Sequence, residues 1–292
     1  MKFVTFSGKK TSTQNKSAIL SRDVPTPGVL IGDEIVDLTG LAYSSVLAIL
    51  QAGDLAISEV TAKVEKAPRL ALSEATLHAP IQPPRIFGVG LNYASHAAES
   101  KMAVQKVPTV FMKLTSSVVG PDTPVILPKI SSQPDYEAEL GVVIGKPGYQ
   151  IAASDWQQYV FGYTIVNDVS ARDIQLSTSQ WTLGKSFPTF TPLGPAVVTA
   201  DEVADPHALD ISLTIDGETL QSANTRDLIF KIPALIEYIS STTPLEAGDV
   251  ISTGTPEGVG LGRTPQRWLR PNEEMVITIE KLGSLRNHTV AE

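Results

Sequence analysis

The chain is 292 residues long, 42% hydrophobic and 18% charged, with a net charge of -8 at pH 7 and no cysteine. That acidity argues against nucleic acid or an anionic membrane as the main partner, and the missing thiols exclude disulfides, thiolate nucleophiles and cysteine-ligated metals. The opening MKFVTFSGKK has no apolar signal core and no window approaches a membrane span, so a soluble, cytoplasmic protein is expected.

A short strand is expected over Lys2 to Phe6, then a β-pair, Gly28–Ile31 and Glu34–Asp37, turning at Gly32-Asp33. Ser45 to Ala52 reads as a helix stopped by Gly53, and residues 56 to 76 lean helical. The prolines at 80, 83 and 84 break regular structure, so a boundary is placed near residue 80: a small N-terminal α+β domain over 1–80 and a larger body over 81–292. The body reads mostly as strands: Arg85–Gly90, Thr109–Lys113, Glu139–Ile144, Val160–Asn167, Pro195–Val198, Ile211–Ile215, Val250–Thr253 and Glu274–Ile279. Short helices are expected at Ala94–Ser100, Ser154–Gln158, Ser170–Leu176 and Ile232–Ser240. The order is not a βαβ alternation, which points to a β-rich α+β fold.

Familiar signatures are absent. Gly88-Val-Gly90-Leu lacks the third glycine of a dinucleotide fingerprint, and the glycine-rich run from Gly254 to Gly262 has no Gly-Lys-Ser/Thr for phosphates. His78, His207 and His288 lie in polar or turn-like surroundings that suggest no chemistry.

PDYEAELGVVIG, Pro134 to Gly145, is different. Its second half is an uncharged, β-branched strand, yet Glu137 and Glu139 stand at its mouth. Residues i and i+2 on a strand face the same way, and two carboxylates near a core need water, a basic partner or a cation. In GYTIVNDVSARDIQ a strand gives way to a helix at Asp168, with Ser170-x-x-Asp173 at capping-box spacing. Glu137, Glu139 and Asp168 together would make an all-oxygen site for Mg²⁺ or Mn²⁺; a solvated glutamate pair beside a turn aspartate is the plainer alternative. In GLNYASHAAES, His96 and Glu99 are i and i+3 on one helix face. A carboxylate there fixes the imidazole tautomer and suits a general base, although a surface pair has the same spacing. Lys185, in LGKSF, is a cation in an otherwise uncharged stretch.

Read in order, GLNYASHAAES, Pro108-x-Val-Phe-Met-Lys113, DYEAELGVVIGK, GYTIVNDVSARDIQ, LGKSF and TGTPEGVG resemble the fumarylacetoacetate hydrolase family over residues 85 to 262. The N-terminal piece is similar to the small leading domain of its longer members. The resemblance implies a mixed β-roll, usually homodimeric. It implies Mg²⁺ or Mn²⁺ on Glu137, Glu139 and Asp168, a His96–Glu99 catalytic dyad, and Lys185 orienting water and polarising the substrate. Arg172, Gln175 and Thr255 fall on positions lining the substrate pocket. The implied chemistry is hydrolysis of a carbon–carbon bond in an acylpyruvate-type dicarbonyl acid. Oxaloacetate decarboxylation or tautomerisation and diene-dioate isomerisation are alternatives on the same site, and a non-catalytic scaffold is a remote one. Two positions depart from the family pattern: Pro188, expected near the pocket, and Asn272-Glu273, which reads as turn variation.

Overall fold

A computed structural model describes residues 1–9, 24–99, 103 and 105–292. Its centre is the strand Ala138–Ile144, buried at every position. The strand pairs antiparallel along its length with Val160–Asn167, from Ala138↔Asn167 to Ile144↔Val160. On its other side lies Val250–Ser252, itself parallel to Ile86–Gly90. β-Branched residues without charge can fill such a position, because both faces are covered. Val160–Asn167 continues to Thr191–Thr199, and Lys2–Gly8 pairs with that strand through Lys2↔Val198 and Phe3↔Val197. Strands of the first 80 residues thereby extend the sheet of the body. Phe3, Val29 and the helix residues Val46, Ile49 and Leu50 pack in one cluster with Val143, Val166 and Leu193.

A second sheet runs Glu218–Asn224, Asp210–Ile215, Glu274–Ile279, Gly283–Ala291, Val125–Leu127. Leu213, Ile277 and Leu285 from it share the main core with Leu140, Val142 and Ile165 of the first. The helix Ile232–Ser240 contributes Leu235 and Ile236 to the same core. The fold is therefore the mixed, sheet-rich α+β type expected.

Several elements differ from expectation. The helix-leaning stretch 56–76 is helical only in Asp54–Val64. Arg69–Ala71 and Ala75–His78 are strands, recruited by Glu34–Asp37 and Lys2–Gly8; pairing partners far along the chain outweigh a weak helical preference. The capping box at Ser170 does not form. Ser170 pairs with Asp135, its hydroxyl donates to the Asp168 carbonyl at 2.9 Å, and only Arg172–Gln175 is helical. Ser100, expected to end a helix, lies outside the described residues, and that helix is Ala94–Glu99. Among the described residues no helix is long and apolar enough to cross a membrane.

Candidate active site

The central ladder explains why three carboxylates meet. With Ala138 opposite Asn167, Glu137 and Asp168 are the next pair outward, and the Asp168 amide donates to the Glu137 carbonyl at 2.9 Å. Glu139 is two residues along and so faces the same side. The three side chains are buried and offer ligand oxygens all within 4.8 Å of one another.

Basic residues compensate two of them. Arg172 Nη2 donates to Glu137 Oε1 at 2.7 Å and Lys185 Nζ to Glu137 Oε2 at 2.6 Å. Lys185 Nζ also donates to Asp168 Oδ2 at 2.8 Å, and Lys113 Nζ to Asp168 Oδ1 at 2.6 Å. Burial alone would push Glu137 up, but Lys185 and Arg172 outweigh it and hold the carboxyl below the usual carboxylate range. Among the described residues Glu139 accepts only from neutral donors, Ser252 Oγ at 2.6 Å and the Gly254 amide at 2.9 Å. Burial, followed by the Asp168 and Glu137 charges, pushes its carboxyl up to about 8.

Three carboxylates around one point, one of them without a cationic partner, fit a hard divalent cation. Binding it requires Glu139 to shed its proton. Adding Mn²⁺ at pH 7 should therefore release close to one proton per ion, falling towards none above pH 9. Calorimetry in buffers of different ionisation enthalpy measures this. Absence of release at pH 7 would show that Glu139 is already ionised before the ion binds.

Lys113 was not singled out from sequence for any role, yet it is 1% exposed and donates to Asp168, to the Val169 carbonyl at 3.3 Å and to the Lys185 carbonyl. The available signal was a lysine closing the apolar strand Thr109–Lys113. Arg172 lines the cleft as expected of a pocket residue, but much of its guanidinium faces protein: Nε donates to Asp135 Oδ2 at 2.8 Å and Nη1 to Gln175 Oε1 at 3.0 Å. Fully buried Asp135 also accepts from the Gly260 and Leu261 amides at 2.7 and 3.0 Å, tying the glycine-rich loop to the carboxylate cluster.

The same loop holds the dyad. His96 Nδ1 and Glu99 Oε1 are 2.9 Å apart, and Glu99 Oε2 accepts from the Gly258 amide at 2.9 Å. A carboxylate only accepts, so Nδ1 carries the proton and Nε2 is left as a base. A Cβ on Gly262 would lie 2.5 Å from Glu99 Oε2, so that position must be glycine for the carboxylate to stay in place. His207 is used structurally, its Nε2 accepting from the Ile232 amide at the start of a helix.

His96, Glu137, Glu139, Asp168, Arg172, Gln175, Lys185 and Thr255 all line one cleft. Phe111, Leu176, Trp181 and Leu261 supply an apolar part of its wall. Phe111 and Trp181 meet edge to face with centroids 5.5 Å apart, and Lys185 Nζ lies 5.0 Å from the Phe111 ring centre. Trp181 packs directly on Gly90, where a Cβ would come within 2.3 Å of the indole. Gly90→Ala should raise KM several-fold for a substrate occupying this wall while leaving Mn²⁺ affinity unchanged, as steady-state kinetics beside a metal titration would show. Pro188 is not part of this lining. It lies with Ile126, Ile130 and Phe187 on a separate apolar groove.

Residues 85–290 match the model of the fumarylacetoacetate (FAA) hydrolase C-terminal family. The chain belongs to the fumarylacetoacetate hydrolase family. Oxaloacetate tautomerase Fahd2a, mitochondrial, of Rattus norvegicus is 43% identical over 266 residues, covering 89% of this chain and 85% of that protein. Among solved structures, a fumarylacetoacetate hydrolase from Exiguobacterium antarcticum superposes with a TM-score of 0.85 at 33% identity, covering 100% of both chains. Maleylpyruvate hydrolase from Sphingobium sp. SYK-6, in complex with manganese(II) and pyruvate, gives 0.82 at 29% identity and covers 100% of this chain and 99% of that one. Its family relatives are thus tautomerases, hydrolases and isomerases.

Proposed function

We propose that this protein is a divalent-cation-dependent tautomerase of oxaloacetate-type 2-oxo acids. The observation that carries the reading is that a His–Glu base and a three-carboxylate cluster line the same cleft. The resemblance to tautomerases at 43% identity favours proton transfer over the carbon–carbon hydrolysis expected from sequence. Glu137, Glu139 and Asp168 would hold Mg²⁺ or Mn²⁺, which would act as a Lewis acid towards the carboxylate and 2-oxo oxygens.

His96 Nε2 takes a proton from C3, and Glu99 stabilises the imidazolium that results. Charge passes to the C2 oxygen, to which Lys185 Nζ, with two of its three protons held by Glu137 and Asp168, offers the third. Lys185 Nζ gives that proton to the oxygen, which completes the enol; His96 then releases the C3 proton to water and Lys185 takes one up, and the reverse sequence regenerates the ketone. The apolar wall excludes water from the anion and so strengthens each of these contacts.

Hydrolysis of an acylpyruvate is the second reading, supported by the aromatic wall of Phe111 and Trp181, which suits an acyl group. There His96 would deprotonate water instead of carbon. A homodimer, small-molecule partners only and a cytoplasmic location complete the proposal.

Proton NMR of oxaloacetate in D₂O with protein and Mg²⁺, against a chelator control, tests it. Accelerated C3 exchange without loss of substrate supports tautomerisation. Pyruvate accumulation would mean decarboxylation. An unaltered exchange rate sinks the reading, and acylpyruvate is then tried for release of pyruvate and free acid.

A further inference from the structure

We infer that Gln221, outside the cleft lining, is a positioning residue that turns the Thr255 hydroxyl into a dedicated donor for the bound acid. The inference rests on the reading of the cleft as a site for a cation-chelating 2-oxo acid. Gln221 is 1% exposed and belongs to the strand Glu218–Asn224 of the second sheet. It reaches across to the first sheet. Its Oε1 accepts from the Ala138 amide at 2.9 Å, between the two glutamates, and its Nε2 donates to Thr255 Oγ1 at 2.8 Å and the Pro256 carbonyl at 2.9 Å. The orientation of this amide is not free. An amide N–H on one side and a carbonyl on the other allow only one placement of its oxygen and nitrogen.

The consequence falls on Thr255. A hydroxyl has one proton and two lone pairs, and Gln221 occupies a lone pair. Among the described residues the hydroxyl's own proton has no protein acceptor. Thr255 is 2% exposed and lines the cleft with Glu137, Glu139, Asp168, Arg172 and Lys185. A buried donor left without a partner is costly, so the proton is satisfied by what enters the cleft: an oxygen acceptor, such as the carboxylate of a 2-oxo acid. With one lone pair held by Gln221 Nε2, the hydroxyl proton cannot point towards Gln221, so Gln221 sets the direction of the donor before the ligand arrives.

The test is a double-mutant cycle on Mn²⁺-loaded protein, with oxalate as the probe, since its adjacent oxygens mimic a chelating 2-oxo acid without turning over. Oxalate affinity is read by calorimetry and Mn²⁺ affinity separately by electron paramagnetic resonance. Thr255→Val and Gln221→Met should each weaken oxalate about tenfold or more, the range for one hydrogen bond to a charged group. Gln221→Met added to Thr255→Val should weaken it no further, because the first acts through the second. If Gln221→Met does not fold, the cycle is run with Gln221→Glu, whose oxygen still accepts from Ala138. Additive losses, unchanged oxalate binding in Gln221→Met, or a parallel fall in Mn²⁺ affinity would each overturn the inference. Failure of the unaltered protein to bind oxalate at all would instead count against the proposed function.

Discussion

His96→Ala should bind Mn²⁺ as the unaltered protein does and turn over the 2-oxo acid about 10²–10⁴-fold more slowly, the span a positioned general base supplies. The two halves of that result separate because the structure separates them. His96 makes its hydrogen bond to Glu99, whereas the carboxylate oxygens of Glu137 and Asp168 are held by Arg172, Lys185 and Lys113. Glu99→Gln should cost less, since Nε2 survives; what is lost is the charge that steadies the imidazolium and one of the two acceptors that serve His96 Nδ1 and the Gly258 amide. Metal binding by paramagnetic resonance and C3 proton exchange by NMR read the two quantities independently. Full exchange activity in His96→Ala would remove the dyad from the mechanism.

Glu139→Gln should abolish Mn²⁺ binding and, in metal-free protein, raise the melting temperature. The substituted side chain keeps an oxygen for Ser252 and Gly254 and, unlike the carboxyl, is uncharged beside Asp168 and Glu137 without having to take up a proton on folding. Each kcal/mol of that penalty removed is worth about 2–4 °C in a domain of roughly 150–250 residues. The pH dependence has a definite sign. In the folded chain the Glu139 carboxyl is raised from 4.5 to about 8, so the native state holds its proton more tightly than the unfolded one. That stabilisation is complete below about 4.5, and it is lost as pH rises through about 8. Metal-free protein should lose thermal stability across this interval, and Glu139→Gln should lose less. Retained Mn²⁺ binding, or equal slopes in the two proteins, would refute the assignment.

The carboxylate cluster was legible because its signal is a contradiction visible in the letters: two charges on one face of an otherwise uncharged strand. The dyad was legible as a spacing, and its setting was not, since the loop that grips Glu99 lies some 160 positions away. Lys113 and Gln221 illustrate what stays hidden. Each looks like an ordinary polar residue ending or interrupting a strand, and its importance arises from contacts with |i−j| of 55 and 34 that no local pattern encodes. The strand Gly283–Ala291 escaped notice for a related reason. It alternates in burial, yet two of its inward positions, Asn287 and Thr289, are polar, because they bind the Gly120 and Arg270 carbonyls and are not there for hydrophobic packing.

Around the cluster, the four buried carboxylates of Asp135, Glu137, Glu139 and Asp168 face the three buried cations Lys113, Arg172 and Lys185. Burial pushes the Lys113 ammonium down, but its ion pair with Asp168 at 2.6 Å supports the charged form; with all three bases charged and the proton on Glu139 the set is electrically neutral. Exchanging that proton for a divalent ion leaves one positive charge in a buried region, which an anionic ligand such as a 2-oxo acid or oxalate offsets. Ion and acid should consequently enter as a cooperative pair. Whatever factor by which Mn²⁺ tightens oxalate, oxalate must tighten Mn²⁺ by the same factor, and the protein at low cation concentration would load its metal chiefly when substrate is present.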